Sequence, residues 1–230
     1  MGASLNDNRL ARDAVMGRVR QALGQSADRR AASDDAARYL AAHAVGPRPA
    51  MEGDPVARFM RRATDMASTV ERLRDVADIP AAIARYVNAL ELPPALASHK
   101  SLSGVCWPEL ATLDWNGAGL DIGARPTSGD DRLGITGCFC AIAETGTLVM
   151  TSGADTPTAT TLLPDTHVAV VNASRIVPAM EDAFALLRAE RGGTPRAINL
   201  ISGPSRTGDI EQTIVLGAHG PYRLHIIVVA

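Results

Sequence analysis

The pattern of hydrophobic residues changes character at Pro93-Pro94, and that change constrains the fold more than any other feature of the chain. Before it, apolar residues recur at helical spacing; after it, short apolar runs alternate with Gly, Pro and Thr clusters, the signature of strands in an α/β or mixed domain. Leu10, Ala14, Val15, Val19, Ala22 and Leu23 predict an amphipathic helix that stops at Gly24. Residues 25–53 hold Ala, Asp, Ser and Arg and then Gly46-Pro47-Arg48-Pro49, so a frayed helix and a flexible linker are expected. Asp54-Pro55 opens a helix to about Val76, and another spans Pro80 to Leu90. Strands are expected near 95–99, 103–106, 111–114, 118–122, 138–144, 147–152, 166–172, 197–202 and 222–229, with helices at 175–191 and 208–216. Residues 1–94 therefore read as a helical N-terminal extension, and residues 95–230 as an α/β core domain.

Composition removes several function classes. The 23 basic residues nearly balance 25 acidic ones, leaving a net charge of −2 and no general drive toward nucleic acid or anionic lipid. An anion would need a local pocket. Cys106, Cys138 and Cys140 are the only cysteines, too few for an all-cysteine iron–sulfur cluster or a four-cysteine zinc site. Their odd number and the absence of an apolar leader after Met1 suggest a reducing cytoplasm. Lys100 is the sole lysine, which excludes a Gly-Lys-Ser/Thr phosphate loop. The run 117–123 imitates a dinucleotide fingerprint, but its third glycine comes one place late, as in a turn-rich connection.

Two segments could carry chemistry. Gly203-Pro204-Ser205-Arg206-Thr207 follows an expected strand and precedes an expected helix, a geometry that aims backbone N–H groups at an anion. Arg206 would add a bidentate fork, or else pair locally with Asp209 while Ser205 or Thr207 caps the helix. Ser205 with Asp209 and His219 downstream also invites a hydrolase reading, against which stands the missing second glycine of a nucleophile elbow. In the second segment, alternation along a strand puts Cys138, Cys140, Ile142 and Glu144 on one face and Phe139, Ala141 and Ala143 on the other. A carboxylate at the end of so apolar a strand can be desolvated and suited to acid–base or nucleophilic work; it can equally serve the Thr145-Gly146-Thr147 turn. The cysteines fit ordinary core packing. His219, in the break His219-Gly220-Pro221, could act as acid, base or anion contact, or simply as a turn residue.

Taken together, GCFCAIAETGT from Gly137, Leu163-Pro164 followed by THVAVV, and GPSRTGDIE followed by LGAHGPYRLHIIVV resemble the LUD-domain family of lactate utilization protein C (LutC). The resemblance covers about residues 95–230. It implies a NagB/RpiA/CoA-transferase-like, Rossmann-type core sheet and a role in oxidising L-lactate to pyruvate. It also implies LutA-like and LutB-like partners that carry the iron–sulfur clusters, so that this chain holds no redox cofactor of its own. Class I CoA-transferases of the wider fold place a catalytic carboxylate in a Glu-Asn-Gly turn, where this chain has Glu144-Thr145-Gly146. The expected site is a small-anion cleft at the strand ends, the usual ligand position in open α/β sheets. Glu144, Asp209 and His219 are its candidate catalytic groups, and Thr145–Thr147 and Gly203–Thr207 its ligand contacts. A stand-alone acyl- or CoA-transferase using Glu144 and a ligand-binding regulatory module are the alternatives.

Overall fold

The computed structural model describes residues 5–23, 29–44, 46–90, 103–210 and 213–230. Two compact units divide between Pro49 and Ala50. The first contains helices α1 (Leu5–Ala22) and α2 (Arg29–Ala42). Val15, Val19, Tyr39 and Leu40 are exposed on them.

The second unit is built on a six-stranded sheet. Its strands are β1 (Thr69–Leu73), β2 (Ser103–Cys106), β3 (Asp121–Gly123), β4 (Leu133–Thr136), β7 (Thr166–Asn172) and β12 (Arg223–Val229). They lie in the order β1-β12-β7-β4-β2-β3, and every neighbouring pair is parallel. Central parallel strands are covered on both faces, so they must be apolar at nearly every position. Strand β12 shows this: Leu224, Ile226 and Val228 pack with Ala169 and Phe59 on one face, while Ile227 and Val229 join Val168, Leu133 and Ile83 on the other. Helix α4 (Ile79–Asn88) covers the second face with Ile79, Ala82, Ile83 and Val87.

Helix α3 (Pro55–Asp65) lies between this sheet and a smaller one. Asp54 caps it by accepting from the Val56 and Ala57 amides at 3.2 Å, and Pro55 takes the first-turn position where no amide donor is needed. The smaller sheet has the order β8-β5-β6-β9, from β5 (Cys140–Ile142), β6 (Thr147–Thr151), β8 (Ile176–Val177) and β9 (Ile198–Ile201). Ala141, Ala143 and Leu148 face α3, while Cys140, Ile142 and Val149 face α6 (Met180–Arg191), as alternation predicts. The short helix α5 (Ala159–Leu162) links β6 to β7. Its Thr160 carbonyl lies where a Cβ on Gly134 would be, only 2.0 Å from that point.

The α/β class with a Rossmann-type parallel core is what the sequence predicted, yet several elements differ. Residues 54–76 are not one helix: α3 stops at Met66, Ala67 takes a left-handed φ of 63°, and β1 follows. Because β1 pairs with β12, the compact core starts well before the expected boundary at 94. Residues 111–114 form turns rather than a strand, since Pro108 starts a 3-10 turn and the buried Trp115 indole donates back to the Leu110 carbonyl at 3.0 Å. Helix α6 starts at Met180, beyond Pro178, and the Asp182 carboxylate accepts from the Ala179 amide. The alternation fails at its first two positions, where Cys138 packs on the α3 side and Phe139 on the α6 side, because the ladder begins only at Cys140. The expected strand at 95–99 lies outside the described residues.

The most consequential difference is at 208–216. In place of a helix the chain forms an antiparallel hairpin, β10 (Arg206–Ile210) and β11 (Thr213–Leu216), with Arg206 opposite Leu216 and Thr207 opposite Val215. No helix N-terminus follows Gly203, so no helix dipole favours an anion there.

Candidate functional site

Three chain segments gather at the amino ends of β4, β7 and β12. Leu133, Thr166 and Arg223 are in register, so Arg132, Asp165 and Tyr222 come side by side just ahead of the sheet. Backbone bonds extend the ladder outward: the Thr166 amide donates to the Arg132 carbonyl at 3.1 Å and the Arg223 amide to the Asp165 carbonyl at 3.1 Å. Over these positions fold the end of α5 and the turn after β11, forming a cavity of about 830 Å³ that is open to solvent. Arg132, Arg223, His219, Leu163, Leu216 and Tyr222 contribute to its wall.

The electrostatics of the wall are uneven. Arg132 forms an ion pair with Asp165 at 2.5 Å, which largely neutralises both. Arg223 instead lays its guanidinium over the Tyr222 ring, 4.9 Å from the centroid, and has no carboxylate partner among the described residues. A half-buried cation beside apolar surface is a natural receptor for a carboxylate or phosphate.

The two segments expected to build the site do meet, through the pairing of β6 with β9. Thr145 Oγ1 lies 2.7 Å from Thr147 Oγ1, which lies 2.6 Å from Ser202 Oγ. Gly146 and Gly203 are buried against the end of α3 and Thr147 is buried beside them, while Thr145 is half-buried and Ser202 exposed, and Arg62 Nε donates to the Glu144 carbonyl at 3.3 Å. Glu144 itself is half-buried, its amide donates to the Pro178 carbonyl, and its carboxylate has no hydrogen-bond partner among the described residues. It does not line the cavity.

Ser205 ties the second segment to the His219 turn. Its amide donates to the Pro221 carbonyl at 2.9 Å and its carbonyl accepts from Gly217 at 3.0 Å. Gly220 sits against Ser205 with only 3.3 Å available to an added Cβ. Thus Ser205 supports the turn from behind, whereas His219 is exposed on the cavity side. Gly203 to Thr207 do not line the cavity, and the Asp209 side chain lies outside the described residues. Sequence reading found His219 and missed Arg132 and Arg223, because an arginine before a strand carries no motif. This cavity lies at the amino ends of β4, β7 and β12, whereas the usual ligand position in open α/β sheets is at the carboxyl ends.

Burial pushes the Cys106 thiol up, burial also raises Cys140 to about 11, and Cys138 is driven further still by burial and by neighbouring Cys140 and Glu109. Since the thiolate is the reactive form, all three should be inert in the folded protein. With an aromatic disulfide reagent at pH 8, we expect fast colour release only after denaturant is added; a stoichiometric fast phase in native protein would contradict this. Among the described residues no cluster of three or more His, Cys, Asp or Glu side chains is placed to hold a metal ion. No described helix is long and apolar enough to cross a membrane.

The architecture is that of an α/β protein with a parallel core sheet and a cationic, partly apolar cavity at its amino edge. Residues 108–229 match the LUD domain model, and the chain belongs to the LUD domain family. It is 36% identical over 197 residues to lactate utilization protein C of Deinococcus radiodurans, an alignment covering 80% of this chain and 89% of that one. It is 36% identical over 128 residues to the protein of the same name from Bacillus licheniformis, covering 54% of this chain and 53% of that one. The Bacillus subtilis namesake is 37% identical over 136 residues, covering 57% and 56%. The chain thus spans about half the length of these two Bacillus relatives. A crystal structure of a DUF162 family protein from Deinococcus radiodurans superposes with a TM-score of 0.55 at 26% identity, covering 79% of this chain and all of that one.

Proposed function

We propose that this protein is a cytoplasmic subunit of an L-lactate oxidation system, working with LutA-like and LutB-like iron–sulfur proteins and contributing an anion-binding cavity rather than a redox centre. The observation that carries the reading is the match to the Deinococcus radiodurans lactate utilization protein C along 89% of its length. The burial of Cys106 and Cys140 is consistent with clusters held by partners, and Arg223 with His219 suits the cavity to an acid. In this reading electron transfer belongs to the partners, and this chain binds and positions. Deleting its gene in a host without a paralogue should abolish growth on L-lactate while sparing growth on pyruvate; unimpaired growth on L-lactate would remove the proposal.

A second reading, acyl or CoA transfer through Glu144, draws on the unpartnered carboxylate of that half-buried residue. It requires an acyl-glutamate that hydroxylamine or borohydride would trap from an acyl-CoA. The position of Glu144 outside the cavity favours the first reading.

A further inference from the structure

We propose that the cavity at the amino ends of β4, β7 and β12 takes an amphiphilic anion, a carboxylate or phosphate carried on an apolar chain, in preference to a bare two- or three-carbon acid. This deepens the anion-site part of the reading above and does not depend on the lactate role. Three observations lead to it. The first is size: about 830 Å³ lies in the upper part of the range of roughly 300–1,000 Å³ typical of sites for ligands of some 20 or more heavy atoms, and a small hydroxy acid would leave it mostly water.

The second is the composition of the wall. Leu162, Leu163, Leu216 and Tyr222 are 41%, 56%, 40% and 48% exposed, and all four line the same concavity. Single exposed leucines are ordinary on a protein surface, but a concave group of them beside a charged group marks a binding site. A compact polar acid gains nothing from that wall; an alkyl or aryl body would bury it.

The third is the placement of charge. Of the two arginines, Arg132 is already paired with Asp165, which leaves Arg223 to meet an anion. Its stacking on Tyr222 holds the guanidinium at the boundary between the polar and apolar parts of the wall. The head group would therefore rest on Arg223 with the His219 ring as a second contact, and the tail would lie along Leu162, Leu163 and Leu216. An uncharged lipid would forfeit the first contact, and lactate the second.

Calorimetric titration of the purified full chain with butanoate, hexanoate, octanoate and decanoate below their micellar concentrations tests this, with octyl phosphate, L-lactate, inorganic phosphate and octan-1-ol as comparisons. Affinity should rise about two- to fourfold per added methylene. Octanoate or octyl phosphate should bind best among probes of that length, and whichever head group wins identifies the source of the anion. Arg223→Gln should weaken octanoate about 10- to 100-fold, the loss expected of a charge-assisted contact. Leu216→Ser should flatten the chain-length dependence. Should Arg223→Gln fold poorly, octan-1-ol against octanoate on the unmodified protein removes the same charge pair from the ligand side. Equal binding of L-lactate and octanoate, an affinity flat across the series, or octan-1-ol matching octanoate would overturn the proposal. So would binding only of an acidic, leucine-rich peptide, which would assign the cavity to a partner protein. Because the assay uses purified protein, its failure leaves the growth experiment untouched, and the reverse.

Discussion

Acidifying the protein from pH 7.5 to pH 5.0 should remove about 4 kcal/mol of its folding stability, a large part of the roughly 5–15 kcal/mol of an ordinary domain. The cause is a pair of histidines that fold in neutral form. His167 is fully buried in β7, with Nε2 2.8 Å from Thr136 Oγ1 and no partner on Nδ1, and burial pulls it down to about 3. His225 in β12 has Nδ1 2.8 Å from Thr69 Oγ1 and its ring stacked on Tyr86 at 4.0 Å; burial pulls it down to about 4, slightly opposed by Glu71.

In the unfolded chain both imidazoles take up a proton near pH 6.5, so below that pH the unfolded state binds more protons than the folded one. Stability therefore falls as the pH drops from about 6.5 toward 4 for His225 and toward 3 for His167. Each contributes about 2 kcal/mol by pH 5. Urea denaturation at a series of pH values reads this directly. His167→Gln, which keeps a hydrogen-bonding amide for Thr136, should roughly halve the slope between pH 7 and pH 5. A urea midpoint that does not move over that interval would show that neither histidine is held neutral.

Gly146→Ala and Gly203→Ala should each cost about 2–5 kcal/mol, combining a left-handed backbone that penalises any Cβ with a clash against main chain. Gly146 has φ 68° and would place its new carbon 2.4 Å from the Ala63 amide nitrogen. Gly203 has φ 84° and would come within 2.1 Å of the Met66 carbonyl oxygen. Backbone of a helix end does not move aside as a flexible side chain would. Gly193→Ala is the control: with open space around it and no left-handed φ, it should be neutral or slightly stabilising. Chemical denaturation of the three variants decides the matter, and losses under 1 kcal/mol at both Gly146 and Gly203 would show that α3 is not seated on these two turns. The Glu144-Thr145-Gly146 turn is thereby given a structural reason for its glycine, independent of any chemistry at Glu144.

Legibility followed burial. Strands β7 and β12 were plain in THVAVV and LHIIVV because a strand covered on both faces leaves an almost unbroken apolar run. Helix α6 was nearly as clear, ending at Gly192 with φ 64° as its glycine pair foretold. Where one pattern fits two structures, the reading failed. Val70 continues the apolar stripe of α3, yet it belongs to β1, whose existence depends on β12 more than 150 residues away. Thr213 to Leu216 is too short to separate helix from strand by period, and its pairing with Arg206 and Thr207 decided the outcome. The candidate site divided in the same way. His219 stood out as a loop histidine beside Gly220-Pro221, while Arg132 and Arg223 became neighbours only through the register of three parallel strands.

By itself, then, the order of residues determined the class of fold, the helical and strand-rich character of its parts, and the family. Those properties are local or compositional: periodicity, glycine and proline placement, and short strings of side chains. The tertiary structure alone decided that Glu144 and His219 part company, that Gly146 and Gly203 pack against the end of α3, and that an open cavity lies at the amino edge of the sheet. Which side chains share a space depends on strand order and register across long stretches of chain, and a linear pattern does not encode that distance.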